Sequence, residues 1–65
     1  MSFELYEIWA VTTDSGHEEL IETTSSRSHA FDLALSTVGL GYISAIVYRE
    51  TEDGDRMVLK QFTSN

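Results

Sequence analysis

Six carboxylates, Glu4, Glu7, Asp14, Glu18, Glu19 and Glu22, stand within residues 1–26, where there is no lysine or arginine. Carboxyl groups do three kinds of chemistry. Close pairs trade protons as acid and base, clusters with histidine or further carboxylates hold cations, and unneutralised rows attract cationic partners. The histidines, His17 and His29, do not favour the first two. No His-x-x-x-His pair exists, and a hydrolytic zinc site needs three protein ligands around an open position. The second acidic group, Glu50, Glu52, Asp53 and Asp55 around Gly54, lacks the alternating ligands and terminal bidentate glutamate of an EF-hand loop. It reads as a turn with Arg49 and Arg56 beside it. There is no phosphate-binding glycine loop and no nucleophile elbow. The expectation is a protein that is not an enzyme and takes no cofactor or metal.

That leaves the third kind of chemistry. Residues 1–26 carry six acids and no lysine or arginine, whereas residues 27–65 carry five acids against Arg27, Arg49, Arg56 and Lys60, for a net charge of -7 with histidine neutral. Binding phosphates needs Lys and Arg, so direct contact with nucleic acid or an anionic membrane is not expected. The preferred partner is a basic protein surface. With 65 residues and no cysteine the chain is expected to be one domain, residues 1–65. A chain this small buries only about 60% of its unfolded surface and has no disulfide to supplement its core. Association with a second copy is therefore an open route to stability. The absence of cysteine fits a reducing compartment, and no apolar run reaches the roughly 20 residues that cross a bilayer. A cytoplasmic location is the expectation.

The elements that must position these groups follow from periodicity. Phe3 to Thr13 alternates Leu5, Glu7, Trp9 and Val11 with Tyr6, Ile8, Ala10 and Thr12, the period of a strand. Asp14-Ser15-Gly16 supplies turn chemistry, and Glu18 to Thr24 resumes a shorter, more polar strand. Ser25 or Ser26 then caps a helix in which Asp32 sits early and Phe31, Ala34, Leu35 and Val38 share one face. Gly39 and Gly41 end it. Tyr42 to Thr51 is the strongest strand, Glu52 to Asp55 turns the chain, and Arg56 to Thr63 returns. The fold class is α+β, in the order ββαββ: a four-stranded, mainly antiparallel sheet with one helix packed on one face.

One helix covers one face, yet the strands are apolar on both. The face with Ala10 and Ala45 is expected under the helix because small residues permit close approach. The other is expected to show Trp9, Ile46, Tyr48, Val58 and Phe62, a patch of the kind that marks an interface. Residues two apart on a strand lie about 6.6 to 6.8 Å from each other. Glu18 and Glu22 with Glu4, or Glu7 with Glu19, would then form carboxylate rows along one sheet edge. The plainer reading of such acids is edge protection and solubility. Arg49, Arg56 and Lys60 are expected to gather at one end of the second hairpin.

In size, acidity, lack of cysteine and the lysine-free, arginine-free hairpin FELYEIWAVTTDSGHEELIE, the chain resembles small phage-encoded inhibitors of bacterial defence systems, including anti-CRISPR proteins. The resemblance is one of character and carries no motif. It implies a non-enzymatic inhibitor that mimics nucleic acid in the basic groove of a nucleoprotein defence complex of a bacterial host. The residues expected to meet that partner are Glu4, Glu7, Trp9, Asp14, Glu18, Glu19 and Glu22. The alternative is a small dimeric structural or regulatory module, such as an acidic antitoxin-type partner, working through its apolar sheet face.

Overall fold

A computed structural model describes residues 4–12 and 17–63. Strand β1 (Leu5–Val11) is followed by β2 (Glu18–Thr24), helix α1 (Arg27–Gly39), β3 (Ser44–Glu50) and β4 (Arg56–Thr63). The strands form one sheet in the order β2-β1-β3-β4, and every neighbouring pair is antiparallel. The expected ββαββ architecture is the one found. The expected turn Asp14-Ser15-Gly16, and with it Asp14, lies outside the described residues.

Alternation along β1 decides which side the helix takes. Tyr6, Ile8 and Ala10 are buried, and the antiparallel register sets them beside Arg49, Val47 and Ala45. α1 lies over the two central strands. Its contact stripe is Ala30, Ala34 and Thr37, all buried, and these small side chains let the backbone settle close to Ala45. The Thr37 hydroxyl satisfies itself by donating to the Leu33 carbonyl at 2.8 Å. Phe31, Leu33 and Val38 flank the stripe, and Phe31 meets Phe62 edge to face with ring centroids 6.1 Å apart. Leu35 does not belong to this face: it is 55% exposed. The alanine and threonine spacing rotates the helix so that its smallest residues meet the centre of the sheet, while Phe31, Leu33 and Val38 pack at the sides.

Ser26 is the N-cap, its Oγ accepting from the His29 amide at 3.3 Å. The helix opens on Arg27, and Asp32 lies beyond the first turn, where the helix dipole no longer favours an acid. Gly41 stops the helix: at φ 108 its amide turns back to the Val38 carbonyl at 3.1 Å, a conformation that favours glycine. Gly54, at φ 87, does the same for the hairpin between β3 and β4, where the Thr51 amide donates to the Asp55 carbonyl at 2.8 Å.

Each edge strand carries one extra residue. In β2 the register jumps from Ile8 opposite Glu22 to Trp9 opposite Leu20, leaving Ile21 as a bulge. In β4 it jumps from Val47 opposite Lys60 to Tyr48 opposite Val58, leaving Leu59 as a bulge. A bulge reverses the side on which all later residues fall. Among the described residues no helix is long and apolar enough to cross a membrane.

Candidate functional site

The sheet face opposite α1 has no covering element among the described residues. β1 contributes Leu5, Glu7, Trp9 and Val11, β2 contributes Glu18, Leu20 and Thr23, β3 contributes Ile46 and Tyr48, and β4 contributes Arg56, Val58 and Gln61. Leu20 and Val58 are 46% and 58% exposed.

A polar and aromatic chain crosses this face. The Trp9 indole Nε1 donates to Glu7 Oε1 at 2.8 Å, which the i, i+2 spacing of a strand makes natural. Arg56 Nη1 lies 3.8 Å from the same carboxylate oxygen. The Arg56 guanidinium carbon sits 4.1 Å from the centroid of Tyr48 and 5.3 Å from that of Trp9, within cation–π range of both. The Tyr48 hydroxyl donates to Glu18 Oε1 at 3.2 Å. The network thus ties β4 to β1 and β3 to β2, across strands that are not all neighbours. Tyr48 is only 9% exposed although it faces the uncovered side. Burial raises its phenol pKa, the hydrogen bond and charge of Glu18 add to the rise, and Arg56 opposes it.

Three of the seven expected partner residues, Glu7, Trp9 and Glu18, therefore meet on one face. Of the others, Asp14 lies outside the described residues, and Glu4, Glu19 and Glu22 do not join them. Glu22 and Glu19 fall on the helix side, opposite Ile8 and Ala10, and Glu22 Oε2 lies 3.2 Å from His29 Nε2. Glu4 is 3.9 Å from Arg49. The expected carboxylate rows are corrected accordingly. Glu18 and Glu22 lie on opposite sides because Ile21 interrupts the alternation, and Glu7 and Glu19 lie on opposite sides because their partners Thr23 and Ala10 do. Phe62 is corrected for the same reason. The bulge at Leu59 turns it to the helix side, opposite Ala45, away from Val58.

The basic residues do not gather either. Arg49 reaches Glu4, Arg56 lies on the uncovered face, and the Lys60 ammonium is 5.4 Å from the Phe62 ring on the helix side. Sequence reading missed Arg56 as the centre of the face. Its signal was available only through pairing, since Arg56 sits opposite Glu50 next to Tyr48.

Among the described residues no group of three or more His, Asp or Glu side chains comes together to hold a metal. A shallow hollow lined by Thr12, Leu40, Gly41 and Tyr42 brings no charged groups together. Compared with known proteins, the chain matches no family model, no curated protein and no solved structure at a significant level.

Proposed function

We propose that the protein is a small non-enzymatic interaction module whose working surface is the uncovered sheet face, and that this face is a contact between two copies. The observation that carries the reading is the pairing of one helix with a sheet that is apolar on both sides. α1 buries Tyr6, Ile8, Ala10, Ala45 and Val47, while no described element covers Trp9, Leu20, Ile46 and Val58. A patch of this composition on a chain with a thin core is more costly to leave in water than to cover. The test is sedimentation equilibrium from micromolar to millimolar protein. The expected result is a two-chain species that Ile46→Lys converts to a folded monomer. A protein that stays monomeric throughout overturns the reading.

A second reading is favoured by β2. It is an edge strand, all but its last residue are exposed, and it carries Glu18, Glu19 and Glu22 with no base. On this reading the protein is an acidic inhibitor in a bacterial cytoplasm that occupies the nucleic-acid-binding surface of a defence complex. The support is narrower than the sequence implied, because the acids divide between two faces and Glu4, Glu7 and Glu22 have cationic or histidine neighbours. Binding should weaken steeply with salt and be lost in Glu19→Lys with Glu22→Lys. Unchanged binding in that folded double variant removes this reading.

A further inference from the structure

The two edges of the sheet are opposite in charge and alike in their remaining features. β2 carries Glu18, Glu19 and Glu22 and no base, whereas β4 carries Arg56 and Lys60 and no acid. Among the described residues neither has a partner on its outer side, both carry one bulge, and both expose apolar residues, Leu20 and Ile21 on β2 and Met57 and Val58 on β4. Two β2 edges would oppose acid to acid, and two β4 edges base to base. The charges select β2 against β4.

Chain direction permits the same pairing. Because all three pairings are antiparallel, β2 and β4 run in opposite directions. A β4 placed beside the β2 of a second, similarly oriented copy therefore makes another antiparallel pair, with both helices on one side of the sheet. Bulges on edge strands are a common means of bending a sheet toward closure.

We propose that two copies close into an eight-stranded barrel, each joining its β2 to the β4 of the other, with the uncovered faces turned inward and the helices outside. The proposal rests on the reading of that face as a self-contact and specifies how the contact is made. Eight strands enclose an interior just wide enough for side chains to fill, here Trp9, Leu20, Ile46, Tyr48 and Val58 from each copy together with Glu7, Glu18 and Arg56, which enter already paired with one another or with Tyr48. A flat face-to-face stack would cover the same residues but leave four charged edges unpaired. Closure covers both at once.

Lys60 is the chain's one lysine, which gives a direct test. Lys60 and β2 belong to opposite edges, three strand spacings or about 14 Å apart within one chain, with α1 above the strands between them. In the barrel, Lys60 faces the side of the second copy's β2 that bears Glu19 and Glu22. A zero-length carbodiimide reagent joins an amine to a touching carboxylate. Applied to a mixture of ordinary and isotope-labelled protein, it should give mixed-isotope peptides linking Lys60 to Glu19 or Glu22, in a species of two chains. Lys60→Glu should weaken association roughly tenfold, and adding Glu19→Lys and Glu22→Lys to it should restore most of the loss.

Different failures separate the two claims. A two-chain species without these links, or one indifferent to Lys60→Glu, overturns the barrel and keeps the self-contact. A ladder of larger species shows open edge pairing and overturns closure. A monomer at every concentration overturns both.

Discussion

At the scale of single residues, Arg56 and Tyr48 define the uncovered face more than any carboxylate does. Arg56 touches two rings and a carboxylate that Trp9 already holds, so its loss removes contacts on three sides. Arg56→Ala should cost about 1 kcal/mol in urea unfolding, a magnitude set by cation–π contacts at exposed sites. Arg56→Lys should recover only part, because an ammonium cannot stack on both rings as a planar guanidinium does. Tyr48 gives a pH prediction. Its phenol is harder to ionise in the folded chain than in the unfolded one, first because it is buried and then because its hydroxyl donates a hydrogen bond to the Glu18 carboxylate. The folded state therefore holds this proton when the unfolded state has begun to lose it. Stability from this source is full below the ordinary phenol value of 10.0 and falls as pH rises beyond it. Tyr48→Phe should flatten that alkaline decline in denaturant titrations between about pH 9 and 11. An unchanged slope would assign the decline to other groups.

At the scale of elements, the helix depends on one cap and a floor of small residues. Ser26→Ala removes the only side-chain acceptor described at the His29 amide and should lower stability by about 1 kcal/mol by thermal unfolding. Ala34→Leu, which forces a large side chain between helix and sheet, should cost about 1–3 kcal/mol. The elements themselves were legible in the sequence. Period-two alternation in LYEIWAV and the change of period after Ser26 mark strand and helix, and Ala10 with Ala45 identifies the side that α1 takes. Two assignments failed for one shared reason. Ile21 and Leu59 look like ordinary strand residues, so nothing in EELIETT or RMVLKQFT announces that each contains a residue without a partner. Counting by twos past those points placed Glu18 with Glu22 and Val58 with Phe62. A bulge is set by how a strand meets its neighbour and not by its own residue types. The helix stripe failed differently. Leu35 fits a helical spacing as well as Ala34 does, and only the close approach to Ala45 chooses between them.

At the scale of the whole molecule, a net charge of -7 works against compactness through self-repulsion. Moderate sodium chloride, about 0.2 M, should screen that repulsion and raise the melting temperature by a few degrees, as seen by circular dichroism. The same salt should weaken any β2-to-β4 seam while leaving apolar contact at Trp9 and Ile46 intact. The two effects can thus be read separately, one from unfolding and one from sedimentation. The unequal charging of the two margins also bears on handling. A cationic resin or sensor chip will seize the β2 margin and leave the β4 margin pointing outward. The support would then act as a competitor for the very strand under study, so affinities are best measured with every molecule free in solution.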